Sequence, residues 1–152
     1  MEPMEINGGR FYVRPLHDDD RIDDRPALSV VFDQPVEQLA DTVATARADW
    51  AANTRLTWAV CEQTSVELLA LAELVLPAGF VAPEERDSDY VPPSEPACLC
   101  VSPAGDTERV LPNDPVLTPK TVGDAAKEGR ETVRRWAEGF LEVPVEDDIC
   151  KK

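Results

Sequence analysis

The sequence has few of the residues on which catalytic and metal sites depend. It contains one histidine, His17, and its four cysteines include no pair with the two-residue gap of zinc knuckles and thioredoxin-like motifs. It also lacks the Gly-x-Ser-x-Gly, phosphate-loop and His-Glu-x-x-His motifs that mark several large enzyme classes. We therefore predict no catalytic residues and no metal site.

Positive charge and long apolar runs are also scarce. Lys and Arg number 15 against 30 Asp and Glu, which gives a net charge of −15 that repels nucleic-acid phosphates and anionic lipids. The longest apolar stretch, residues 66–76, contains two glutamates and is too short to span a membrane. We expect neither nucleic-acid nor membrane partners, and a cytoplasmic protein with reduced cysteines.

What is present describes one small α+β domain. Its 152 residues, 43% hydrophobic and 30% charged, suffice for a single hydrophobic core. We expect this domain to cover residues 1–152. Its predicted parts are a strand-helix-strand platform (10–82), a proline-rich loop and hairpin region (83–119), a C-terminal helix (120–144) and a tail (145–152).

Short runs of β-branched and aromatic residues predict a small, mainly antiparallel sheet. Pro103 and Gly105 suit a tight turn between two further strands, so residues 97–111 predict a β-hairpin. Residues 66–76 fit a strand and a helix equally well, because Thr64 and Glu67 can either cap a helix or follow a hairpin turn. The remaining predicted strands are residues 10–16, 27–32 and 55–62, and the hairpin arms are 97–101 and 108–111.

Apolar residues at steps of three and four predict two amphipathic helices. The first spans 35–52, with Pro35 in its first turn and Asn53 as a left-handed C-cap. The second spans 122–142 and begins with a capping box formed by Thr121 and Asp124. The predicted buried stripes are Val36, Leu39, Val43, Ala46 and Trp50 in the first helix, and Val122, Ala126, Gly129, Val133, Trp136 or Ala137, and Phe140 in the second.

The order of elements in the first half resembles a known family. Residues 11–16 read Phe-Tyr-Val-Arg-Pro-Leu, an amphipathic helix ends at residues 47–50, and residues 55–60 with a second apolar run follow. This pattern is similar to the N-terminal half of the GNAT superfamily of acyl-CoA-dependent N-acyltransferases. The resemblance implies a Gly-containing loop at a helix start whose backbone N–H groups hold the pyrophosphate of acetyl-CoA. The residues with the matching spacing are Lys120, Val122, Gly123 and Ala125.

Charge argues for a different function. Asp124 places a carboxylate where the pyrophosphate would lie, and the capping box by itself accounts for the local sequence. We therefore expect a noncatalytic acidic protein that binds or assembles with another protein, such as a virion or ring subunit, an inhibitor or an accessory subunit. This protein would need no cofactor. A degenerate GNAT-like N-acyltransferase that uses acetyl-CoA is the alternative.

The expected partner is a protein with a basic surface, or a second copy of the chain in a homo-oligomer. Residues 56–119 carry eleven acidic residues against only Arg86 and Arg109, so this region would attract basic surfaces over a long range. Binding energy concentrates in buried apolar or aromatic anchors. We predict Phe80 and Tyr90 as those anchors, because they are the aromatic residues that follow Trp58 and its strand in this region.

Overall fold

The computed structural model describes residues 1–112 and 115–147, and it shows an α+β fold built on one six-stranded sheet. The strands are adjacent in chain order and antiparallel, except that β5 and β6 run parallel. The predicted small, mainly antiparallel sheet is therefore confirmed. The strands are β1 (Ile6–Asn7), β2 (Phe11–Arg14), β3 (Arg55–Glu62), β4 (Ala70–Val75), β5 (Ala97–Pro103) and β6 (Val145–Asp147).

Helices cover both faces of the sheet. Ala59 and Cys61 of β3 belong to the core that includes buried side chains of the first two helices, whereas Val60 belongs to the core with the third. The third helix lies so close to β3 that a Cβ atom on Gly129 would stand 2.6 Å from Val60 Cγ2. Strand β3 is therefore buried on both faces. The helices are α1 (Arg25–Phe32), α2 (Thr42–Ala52) and α3 (Val122–Trp136).

Several predicted elements are confirmed. Strand β3 has the predicted bounds, and residues 66–76 contain strand β4 rather than a helix. Helix α3 starts at the predicted capping box and continues as a π-helical turn, Ala137–Leu141. Because a π-helix has more residues per turn, Leu141 occupies the buried position expected for Phe140, which is 46% exposed.

The first predicted helix is divided. A 3₁₀ turn, Val36–Leu39, follows Pro35, and α2 begins only at Thr42. A 3₁₀ helix has three residues per turn instead of about 3.6, so Val36 falls out of line with the predicted stripe and is 38% exposed. The other residues of that stripe are buried. Asn53 ends α2 with a φ of 58°, as predicted.

The predicted strand at residues 27–32 is wrong, because this segment is helix α1. Pro26 lies in the first turn, where its missing N–H costs no hydrogen bond, and Asp33 ends the helix with a φ of 53°. Leu28 and Val31, three residues apart, lie on the one face that packs against the sheet. Tertiary packing of this face outweighs the strand preference of the β-branched residues.

The predicted hairpin and tail are also wrong. Residues 97–101 lie in β5, but residues 108–111 do not pair with them; Val110 instead forms an isolated bridge with Thr121. The place beside β5 is taken by β6, within the predicted tail, whose Val145 aligns with Ala97. Residues 148–152 of the tail lie outside the described residues.

A buried ion pair fixes the acidic segment before α1 to the sheet. Arg14 donates from its two terminal nitrogens to Asp24 at 2.8 and 2.7 Å, and both side chains are at most 3% exposed. Asp24 also accepts from the backbone N–H of His17, and Arg14 donates to the carbonyl oxygen of Val66. The pair therefore joins three separate segments, and the low dielectric of its surroundings makes the loss of either partner costly.

We expect Asp24→Asn to lower the free energy of unfolding by about 3 kcal/mol or more, because it leaves a buried guanidinium without its counter-charge. The matched control is Asp23→Asn, whose pair with Arg25 is 38% and 36% exposed and should contribute much less than the buried pair. Urea unfolding monitored by circular dichroism measures both. Equal losses in the two variants would contradict a special role for the buried pair.

Candidate functional site

The start of helix α3 contains the residues that the sequence assigned to acetyl-CoA. The N–H of Val122 donates to the carbonyl oxygen of Arg109 at 3.0 Å, and the N–H of Gly123 donates to that of Thr107 at 2.8 Å. A Cβ atom on Gly123 would lie only 3.1 Å from that Thr107 oxygen. The loop after β5 therefore crosses directly over the start of the helix and accepts its first hydrogen bonds.

The next two N–H groups are also used within the chain. Asp124 donates to Thr121 Oγ1 at 3.1 Å, and Ala125 donates to the carbonyl oxygen of Thr121 at 3.0 Å. The Asp124 carboxylate accepts in return from the N–H of Thr121 at 2.9 Å, which holds the pKa of Asp124 below its usual value. Lys120 pairs with Glu128 at 3.0 Å.

The structure thus brings the four predicted cofactor residues together but fills the position that an anion would take. An anion site at a helix start requires N–H groups that point at the ligand. Here all four N–H groups from residues 122–125 already donate to oxygen atoms of the chain. The residues present do not fit a pyrophosphate unless the loop at residues 105–111 moves away.

The two predicted partner-binding residues flank one arginine. Phe80 is buried in the core, at 9% exposure, and Tyr90 is half-buried. The Arg86 guanidinium carbon lies 4.5 Å from the centre of the Tyr90 ring and 5.5 Å from that of Phe80. Cation–π contacts of this kind stabilise the packing of a loop. In this arrangement Phe80 has little free surface to offer a partner.

Arg86 also ties this loop to the end of the third helix. Its side chain donates to the carbonyl oxygens of Val81 at 2.9 Å and Leu141 at 2.7 Å, and it pairs with Glu142 at 3.1 Å. We call residues 83–96 the acidic loop. The loop's acidic side chains are exposed, and so is Val91, at 78%. The exposed acids are Glu84, Glu85, Asp87, Asp89 and Glu95.

Sequence reasoning missed a cavity of about 620 Å³ between the N-terminal segment, β2 and α2. Tyr12, Arg14, His17 and Arg47 contribute polar groups to its wall. One sequence feature could have indicated it. Arg47 has no acidic residue three or four positions away on its helix, although the chain has twice as many acids as bases.

Among the described residues, Cys61 and Cys98 are present as thiols. Cys61 is buried under α1 and α2, and burial raises its pKa to about 11, so the nucleophilic thiolate is scarce at neutral pH. Cys100 is disulfide-bonded, which contradicts the expectation of reduced cysteines at that position. Among residues 1–112 and 115–147, no group of three or more His, Cys, Asp or Glu side chains could hold a metal ion.

Asp124 should stabilise the protein only while it is charged. Its pKa is lower in the folded state than in the unfolded chain, so its contribution is complete above about pH 4 and is lost as the pH falls through the folded-state pKa. We expect the difference in unfolding free energy between the wild type and Asp124→Asn to be constant from neutral pH to about pH 5 and to shrink below about pH 4. Urea unfolding at several pH values tests this. A difference that grows towards acid pH would contradict the capping geometry.

Comparisons with known proteins give no family assignment. No protein-family model matches the chain, and no curated protein and no solved structure is similar to it. Function must therefore be argued from the geometry of the chain itself.

Proposed function

We propose that this chain is a noncatalytic acidic protein that binds or assembles with a partner protein bearing a basic surface. The observation that carries this proposal is the acidic loop, because its five exposed carboxylates lie on a segment that Arg86 fastens to the body of the protein. A charged loop that is already ordered loses little conformational freedom on binding, which favours affinity.

Charge supports a partner other than a second copy of the chain. The net charge of −15 makes two copies repel each other at long range, whereas a basic protein is attracted and its association is accelerated. Homo-oligomerisation would have to use a surface away from the acidic loop.

Within the described residues no helix is long and apolar enough to cross a membrane.

The apolar anchor of this interface is Val91 rather than Phe80. Isolated surface ion pairs contribute little each, so the binding energy needs an apolar contact among the charges. Val91 is 78% exposed within the acidic loop, whereas Phe80 serves the core and the Arg86 contact. The neighbouring Tyr90 is half-buried and packs against Arg86, so it supports the loop beside Val91.

The alternative is a GNAT-like N-acyltransferase, and it rests on the order of elements in the first half of the chain. Strand β2, helix α2 and strands β3 and β4 follow one another in that order, with helix α1 inserted between β2 and α2. This alternative requires acetyl-CoA, and the N–H groups at the start of α3 argue against it because they donate within the chain. Binding of acetyl-CoA is therefore the property that separates the two functions.

Neutralising the acidic loop should abolish partner recovery. The test variant combines Glu84→Gln, Glu85→Gln, Asp87→Asn and Asp89→Asn, and the control replaces four exposed acids elsewhere by their amides, namely Glu37, Asp41, Glu131 and Glu138. In pull-downs from the native source, we expect the control to recover the partner and the test variant not to. We also expect the wild type to lose the partner between about 0.05 and 0.5 M salt, because salt screens the attraction between the acidic loop and a basic surface.

A second pair of variants examines the anchor. Val91→Ala should reduce recovery, whereas Val30→Ala, at a valine that is 54% exposed on α1, should not. Equal recovery with the neutralised loop and with its control would remove the acidic loop from the interface.

A further inference from the structure

The cavity beside β2 contains a positioned arginine that has no carboxylate partner. Arg47 Nη2 donates to the carbonyl oxygen of Leu16 at 2.8 Å and lies 3.3 Å from His17 Nδ1. None of the ion pairs among residues 1–112 and 115–147 includes Arg47. Its Nε and Nη1 groups are therefore available to a ligand, while the bonds of Nη2 hold the guanidinium in place.

His17 adds a second donor at the same wall. An arginine can only donate, so the contact with Arg47 requires that Nδ1 of His17 accepts and carries no proton. In that tautomer the ring proton is on Nε2, which is a donor. The Asp19 carboxylate lies farther from Nδ1, at 3.6 Å, and is largely exposed.

Arg14 also lines the cavity, but its charge is already balanced. Its two terminal nitrogens donate to Asp24, and its Nε, which has no hydrogen-bond partner, is shielded from solvent. Arg47 is exposed and is therefore the arginine of this wall that a dissolved ligand can reach.

The rest of the wall limits the chemistry of the ligand. Pro3, Met4, Pro15 and Ile22 are half-buried apolar residues, so the body of the ligand should be apolar. Glu2 and Glu5 also line the cavity and disfavour a second negative charge. A cavity of about 620 Å³ has the size of a small-molecule site.

We propose that this cavity binds a small monocarboxylate with an apolar body, whose carboxylate pairs with Arg47 and accepts from His17 Nε2. Arginine suits this task because its planar fork matches the two oxygens of a carboxylate. The site shares no residue with the acidic loop, so it stands or falls independently of the proposed partner binding.

The test compares isovalerate with isovaleramide, which has the same shape without the charge, in two-dimensional NMR titrations of the full chain. We expect isovalerate to shift the resonances of His17 and of Arg47, including its Nε–H, and isovaleramide to leave them unchanged. Leucine adds an ammonium group that Glu2 and Glu5 could attract. If leucine binds more tightly than isovalerate, the ligand class includes amino acids. If it binds more weakly, the ligand class is restricted to simple monocarboxylates.

Variants distinguish the site from weak surface binding. Arg47→Gln should weaken isovalerate binding at least about tenfold, since a hydrogen bond to a charged group is lost. Arg47→Lys should recover part of the affinity. Arg135→Gln, a change at an exposed arginine on α3, is the matched control and should have no effect.

Three results would overturn the proposal. The first is that isovaleramide binds as well as isovalerate. The second is that an Arg47→Gln variant with an unaltered melting temperature binds isovalerate as well as the wild type. The third is that isovalerate at about 10 mM shifts no resonance of Arg47 or His17, since weaker binding than this is not specific for so small a ligand.

Discussion

The need of buried polar groups for hydrogen-bond partners determines how the segments outside the sheet are arranged. The Arg14 side chain cannot be buried beside β2 without Asp24, and their contact draws the acidic segment before α1 against this strand. Arg86 acts in the same way for the acidic loop, which it holds through two carbonyl oxygens and two aromatic rings. In a chain with 30 acids and 15 bases, these few arginines organise the loops.

The same requirement decides what the start of α3 can do. The first N–H groups of a helix have no partner within it and must find one elsewhere, in a cap, in solvent or in a ligand. In this protein Thr107, Arg109 and Thr121 supply the acceptors, so the helix start is closed by the chain's own loop. A resemblance in the order of elements is therefore not enough to assign acetyl-CoA binding to this helix start, because a fold alone does not imply an activity.

Local features of the fold could be predicted from the sequence, and long-range ones could not. Thr121 with Asp124, and Asn53 after α2, act through neighbouring residues and were predicted correctly. The segment at 27–32 was misassigned because its β-branched residues favour a strand, whereas its helical form is stabilised by packing on the sheet. The hairpin failed for a similar reason, since β5 pairs with β6, more than forty residues later.

Prediction of the candidate sites shows the same division. The spacing around Gly123 correctly identified a helix start, but nothing local reveals that the carbonyl oxygens of Thr107 and Arg109 fill it. Likewise, Phe80 and Tyr90 were recognised as the aromatic residues of their region, while their contact with Arg86 depends on how the loop folds back. Sequence separation, rather than residue type, limited both predictions.

The most direct test of this account is a calorimetric titration of the full chain with acetyl-CoA. Because residues 122–125 donate their N–H groups within the chain, the account predicts no heat of binding in the micromolar range. A stoichiometric signal that resists added salt and disappears in Gly123→Trp would contradict it, and would favour the N-acyltransferase alternative over the acidic binding protein.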